Sequence, residues 1–379
     1  SSYMLNIIPI FIYSGVLFIF NILKKFKYIF YKYSLELARG VIYVKCKLMK
    51  KRLRKLAGRY KLIDQVLITP YRSYGTHSHL YIKGRVLDNE PLKITQDANI
   101  FKTIKTTYKQ FDTFEIPDAQ VDLSLPGKVQ ATTQTDDEGF FLFDNTIEQN
   151  LAEHADEEGW LDYDIFYKGP LRKKTDLLEH PFKEDFLIPD PNAEYGVISD
   201  IDDTILHTGV TSFLKLRLLK NSLLTNAYNR IPLKGAAEFY QKLHTGRDGT
   251  PNNPIFYLSN SPWNLYEYLK LFLDHNAFPK GPILLRKFRT PFDGSIKPEK
   301  PHKQKEIANI LKTYPEMNFI LIGDSGEHDA SIYTEIAAQY PDRILAIYLR
   351  SVKHKKQMSR VRSIIDNFET TPVLMVETS

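Results

Sequence analysis

Asp200, Asp202 and Asp203 close an apolar run in the stretch YGVISDIDDTIL, residues 195–206. Like charges this close repel, and burial raises the cost. In an extended chain alternate side chains share a face, so Asp200 and Asp202 point together. Asp203 points elsewhere, as a turn or solvent acid. A cation would offset the repulsion of the pair, and hard cations take oxygen ligands. Other polar residues recur where apolar runs stop. Thr204 lies two places beyond Asp202, Ser259 ends IFYLS, and Asp324 and Asp329 lie in GDSGEHD. Lys303 opens the helical pattern before that last run. Neither a G-x-S-x-G elbow nor a P-loop offers a competing chemistry.

The elements that must position these residues begin at Tyr195. Strand-like apolar runs (YGVIS, IFYLS, ILLR, NFILIG, RILAIYL) alternate with helical ones (PLKGAAEFYQKLH, NLYEYLKLFLDHN, KQKEIANILKTY, SIYTEIAAQY). That alternation predicts a Rossmann-like α/β domain with a parallel sheet, covering 186–379. In such sheets sites form at the carboxyl ends of the strands, where the polar residues fall. Residues 59–185 read instead as β. HLYIKGRVL (79–87), AQVDLSLPG (119–127), VQATTQTDDEGFFLFD (129–144) and WLDYDIFYKG (160–169) are short strands with turn signals, predicting a small antiparallel β-sandwich. The T-D-x-x-G-x-F pattern at 135–141 resembles the hairpin of transthyretin-like or fibronectin-like modules. HPFKEDFLIPDPNAE (180–194), charged and proline-containing, reads as the link between the two.

Residues 1–58 form a basic leader. Of the 379 residues, the first sixty carry thirteen Lys/Arg against one acid, Glu36, leaving 38 bases against 44 acids in the remainder. The overall +6 therefore belongs to the leader, and a nucleic-acid partner is not expected. Residues 4–23 are long and apolar enough to cross about 30 Å of hydrocarbon. Lys24, Lys25, Lys27 and Lys32 follow, which would keep the rest of the chain on the cytoplasmic face of the membrane, or simply in the cytoplasm without an anchor. The competing reading is an upstream stretch translated from a reading frame drawn too long, since residues 1–48 are rich in Ile, Phe, Tyr, Lys, Leu and Asn and Met49 precedes KKRLRKLAGRY. The basic run 50–59 suits an anionic membrane surface or plain solvation. One cysteine, Cys46, excludes an internal disulfide framework and a cysteine metal cluster.

D-x-D-x-T, then Ser259, then Lys303, then G-D-x-x-x-x-D, in this order on this pattern, resembles the haloacid dehalogenase superfamily of phosphotransferases. DIDDTI, HTGVTS, YLSNSPWNLYEYL, GPILLR, HKQKEI and LIGDSGEHDASIYTEI further resemble the phosphatidate phosphatases associated with actin patches in fungi, and their bacterial relatives. There a β-rich domain precedes the catalytic one, and PYRSYGT (70–76) is similar to its opening segment. The likeness covers about residues 59–350. The leader has no counterpart, and KFRTPFDGSIKPEK (287–300) is peculiar to this chain. The resemblance implies a Mg²⁺-dependent hydrolysis of phosphatidic acid to diacylglycerol and phosphate. Asp200, Asp324 and the Asp202 backbone carbonyl would hold Mg²⁺. Asp200 would attack phosphorus, and Asp202 would protonate the leaving alkoxide and then activate water. Ser259 and Lys303 would bind phosphoryl oxygens, Asp329 would order the metal's water or the Lys303 ammonium, and Thr204 would fix the loop.

Alternatives remain open at several positions. A single Asp at a strand end is ordinarily a turn residue or helix cap. Ser261 competes with Ser259, and Lys297 and Lys300 compete with Lys303. His302 and His328 read as loop residues, because imidazole suits softer ions than this carboxylate set. Trp263 and Asn264 suit core or helix-start roles. The segment after Thr204 is too short for a large cap domain, and 213–229 can form an amphipathic helix, either lying on a bilayer or packed as a flap. Other functional readings are a phosphomonoesterase for a phosphoprotein or nucleic-acid end, and a membrane-bound adaptor with an incidental site. The sequence names no protein partner for the β part.

Overall fold

The computed structural model describes residues 66–88, 114–169, 180–202, 204–205, 235–247, 249–250, 252–287, 301–325, 329–351, 355–366 and 368–376. Asp203, Lys297, Lys300, His328 and the segments 1–58, 213–229 and 288–300 lie outside them. All described residues belong to one compact unit, Ile63–Ser379.

Its first part is a nine-stranded sheet: β1 (Leu67–Pro70), β2 (Ser73–Gly75), β3 (His79–Asp88), β4 (Phe114–Glu115), β5 (Gln120–Leu125), β6 (Val129–Gln134), β7 (Phe140–Thr146), β8 (Trp160–Tyr167) and β9 (Phe182–Leu187). Pairing runs β1-β3-β2-β9-β8-β5-β6, with β4 and β7 also on β3. The expected two-sheet sandwich is corrected here. Ten-residue β3 pairs along both edges, and β2 joins β9 in parallel, so hydrogen bonding links every strand into one sheet. β6 lies near β7, and the buried side chains form one cluster that includes Ile82, Val121, Phe143, Tyr163, Ile165 and Phe186.

The passage read as a linker is also corrected. It contains β9, and the boundary drawn at 185/186 falls inside that strand. Not all of its charges are solvated. Glu184 is buried and accepts from Lys270 at 2.7 and 2.5 Å and from the Tyr266 hydroxyl at 3.1 Å, so polarity was a poor guide to exposure here.

The second part alternates β10 (Gly196–Asp200), α1 (Ala236–Thr245), β11 (Ile255–Pro262), α2 (Tyr266–His275), β12 (Ile283–Arg286), α3 (His302–Thr313), β13 (Phe319–Asp324), α4 (Asp329–Gln339), β14 (Ile344–Arg350), α5 (Lys355–Asp366) and β15 (Val373–Val376). The six strands are all parallel, in the order β12-β11-β10-β13-β14-β15. This is a doubly wound arrangement whose direction reverses at β10. Period-two alternation sends Val197, Tyr257 and Ile283 to the face covered by α1 and α2. Ile198, Phe256 and Leu321 turn to the face covered by α3, α4 and α5. Both faces are covered, so β10 is buried along its whole length, which explains why its sequence is apolar up to Ser199 and Asp200.

PYRSYGT joins the two parts. Tyr71 stacks on Trp263 with centroids 3.9 Å apart, and the Arg72 guanidinium grips both Asp274 oxygens at 3.0 Å. Tyr74 packs edge-on against Phe256 and accepts from Asn309 at 2.8 Å. Lys83 reaches Glu306 on α3 at 2.9 Å. Core packing, not a linker, therefore fixes the β sheet against the α/β layers.

Candidate active site

β10 ends on Asp200, which is fully buried. The Thr204 hydroxyl donates to its Oδ2 at 3.3 Å, tying the following loop back onto the strand. Beneath it, Ser199 Oγ donates to the Asp200 carbonyl at 2.9 Å and lies 2.5 Å from the Tyr240 hydroxyl. Burial, followed by the nearby Asp200 charge, pushes the Tyr240 phenol up, against the opposing Ser199 hydrogen bond, and keeps it neutral. Asp200 lies at the strand where the sheet order reverses, the place where such sheets open a crevice.

β13, the neighbour of β10, ends on buried Asp324. Asp329 opens α4, and its Oδ2 accepts the Asp324 backbone N–H at 3.4 Å. Gly323 makes this return possible. A Cβ there would meet Asp329 Oδ2 at 2.6 Å and the Tyr333 ring at 2.7 Å. Carboxylate oxygens of Asp200, Asp324 and Asp329 all lie within 4.8 Å of one another, and all three residues are buried. The set is all oxygen, the donor type that Mg²⁺ takes.

Lys303, on the first turn of α3, brings the balancing charge. Its Nζ stands 2.7 Å from Asp200 Oδ1 and 2.6 Å from Asp329 Oδ1, with 1% of the side chain exposed. This is the ammonium at the carboxylates; its sequence rivals Lys297 and Lys300 fall outside the described residues. His302, beside it, turns toward Glu306, 3.9 Å away. Burial lowers its pKa and favours the neutral ring.

Asp202 faces the other neighbour strand. The Ser259 hydroxyl donates to Asp202 Oδ2, and Ser261 Oγ lies 3.2 Å from the same oxygen and 3.4 Å from Oδ1. The Ser261 backbone N–H donates to Ser259 Oγ at 2.8 Å. The two serines, weighed as rivals in the sequence, thus converge on one carboxyl. Two places apart on β11, the serines share a face of the strand, as Asp200 and Asp202 do, and the register shifts just beyond them, before Pro262. Trp263 is buried under Tyr71 and near Phe140 from the β7 hairpin. That hairpin reaches the rim because Asp136 caps its turn, accepting from Glu138 and Phe140 N–H, while Gly139 takes φ of 77°. Its other carboxylate oxygen pairs with Lys287 just after β12.

Residues 195–351 match the family model described as phosphatidate phosphatase APP1, catalytic domain. That span runs from the residue before β10 to the residue after β14 and contains Asp200, Asp202, Thr204, Ser259, Ser261, Lys303, Asp324 and Asp329. The Saccharomyces cerevisiae phosphatidate phosphatase APP1 is 34% identical over 220 residues, covering 55% of this chain and 36% of the yeast protein. An uncharacterized Schizosaccharomyces pombe protein, C29B5.04c, is 31% identical over 184 residues, covering 47% and 29%. The chain thus spans about a third of the length of these curated relatives. Among solved structures, a Bifidobacterium dentium β-glucuronidase aligns with 11% identity over 83% of this chain and 60% of its own, at a TM-score of 0.20, too low to bear on the fold.

Proposed function

We propose that this chain is a Mg²⁺-dependent phosphatidate phosphatase of the haloacid dehalogenase type, which releases diacylglycerol and phosphate through an aspartyl-phosphate. The observation that carries the reading is the buried cluster of Asp200, Asp324, Asp329 and Lys303 at the strand ends, inside the segment that matches the APP1 catalytic domain. The strand order and the placement of Ser259 and Asp202 support the same reading.

Asp200 and Asp324, with the Asp202 backbone carbonyl, would hold the cation. When bound, Mg²⁺ supplies positive charge that lets an anionic phosphate approach a carboxylate. Asp200 is the nucleophile, and Thr204 holds its second oxygen so that the attacking one keeps its direction. Lys303 neutralises the cluster and stabilises the phosphoryl oxygens, and Asp329 fixes its ammonium. Ser259 donates to a phosphoryl oxygen, while Asp202 gives a proton to the leaving alkoxide and later takes one from water. A lipid substrate places the protein at an anionic membrane surface. No helix among the described residues is long and apolar enough to cross a membrane.

Phosphate release from phosphatidic acid vesicles, with Mg²⁺ and with chelator, tests the reading on the full chain. Release that depends on Mg²⁺ is expected. Release from a soluble phosphomonoester but not from phosphatidic acid refutes the substrate class. No release from either refutes the activity.

A further inference from the structure

We propose that Ser261 is a positioning residue: its hydroxyl holds the Asp202 carboxyl in the attitude needed for proton transfer to the leaving oxygen. The inference rests on the phosphatase reading above and deepens it. Ser259 has one hydroxyl proton. In the structure that proton goes to Asp202 Oδ2, while the Ser261 N–H donates to Ser259 Oγ at 2.8 Å. A Ser259 that turns its proton to a phosphoryl oxygen must release Asp202. Ser261 Oγ then still stands 3.2 and 3.4 Å from the two Asp202 oxygens. It is held there by Pro262, which fixes the next φ, and by Trp263 clamped under Tyr71. Two hydroxyls on one carboxyl thus divide the work: one turns to the phosphate, and the other stays with the acid.

The chemistry balances in two steps. In the first, an Asp200 oxygen forms a bond to phosphorus, the bond from phosphorus to the ester oxygen breaks with its electron pair on that oxygen, and the Asp202 proton completes the alcohol. In the second, a water oxygen bonds to phosphorus and gives its proton to Asp202. The bond to Asp200 breaks, and its electron pair returns to the carboxylate.

The dependence on the leaving group isolates this role. An alkoxide needs the proton, whereas a nitrophenolate leaves without it. The measured quantity is kcat/KM, which reports steps up to release of the alcohol. For Ser261→Ala in the full chain with Mg²⁺, kcat/KM for phosphatidic acid in mixed micelles should fall about tenfold or more, as loss of part of a general-acid contribution. For 4-nitrophenyl phosphate it should fall by no more than about twofold, and Ser261→Thr should restore most of the loss because it keeps the hydroxyl. Equal losses on both esters, or no loss on phosphatidic acid, overturn the proposal. If the wild type refuses the aryl ester, rapid quench on phosphatidic acid decides: Ser261→Ala must slow phospho-enzyme formation, and an unchanged rate overturns the proposal. A wild type inactive on both esters, or an active Asp200→Asn, means that the phosphatase reading itself has failed, and Ser261 loses its role with it.

Discussion

Lys303→Met removes the ammonium that stands between Asp200 and Asp329. The wild-type Nζ lies 2.7 and 2.6 Å from the two carboxylates, and all three side chains are 1% exposed or less. Without it, two buried carboxylates face each other, with Asp324 close by. Taking one partner from a buried ion pair costs about 3–5 kcal/mol, because the surviving charge stays buried without its counterion. For a unit spanning Ile63–Ser379 each kcal/mol moves Tm by about 1.5 °C, so Tm should fall by about 4–8 °C at pH 7 without divalent cation. The double variant Lys303→Met/Asp329→Asn removes one negative charge as well and should recover a substantial part of that fall. Added Mg²⁺ should raise Tm more in Lys303→Met than in wild type, since the variant cluster lacks its internal cation and ligand binding stabilises by mass action. Thermal unfolding followed by circular dichroism, with and without Mg²⁺, reads all three. A single variant within about 2 °C of wild type, or a double variant no more stable than the single, refutes the electrostatic argument.

Asp200→Asn should abolish phosphate release and leave no acid-stable phospho-enzyme in rapid quench; residual activity near wild type would remove the nucleophile assignment. Tyr71→Ala should cost about 3–5 kcal/mol by denaturant titration, as for other large buried aromatics, and lower turnover more than Tyr71→Phe does, because the ring clamps Trp263 beside the Asp202 serines. Glu306 gives a pH dependence. Burial would raise its pKa, but the Lys83 ammonium and then His302 outweigh this and hold it below the ordinary 4.5. A depressed folded pKa stabilises above the unfolded value and is lost as pH falls through the folded one. Glu306→Gln should therefore be less stable than wild type at pH 7 by urea midpoint, with the difference shrinking in acid below 4.5. A constant difference across that range would contradict the Lys83 pairing.

The sequence by itself determined the parallel α/β alternation, because a strand covered on both faces reads as an apolar run rather than an alternating one, and β10, β11 and β13 each do so up to their polar C-terminal residues. It also placed Asp200 and Asp324 at strand ends and Lys303 and Asp329 at helix starts, whereas Ser259, expected to end its strand, lies inside β11, which runs on to Pro262. Tertiary structure alone decided how the nine strands pair. β9 reads as a charged linker because its Glu184 is neutralised by Lys270, a partner 86 residues away. The small strands β1 and β2 have too few residues to show a period, yet they carry Tyr71, Arg72 and Tyr74 into the second part. The choice between Ser259 and Ser261 was likewise undecidable from spacing. Two places apart on one strand, they share a face, and only the packed structure shows both hydroxyls at Asp202. Periodicity records which side of an element is buried; which distant group compensates a buried charge is set only when the layers come together.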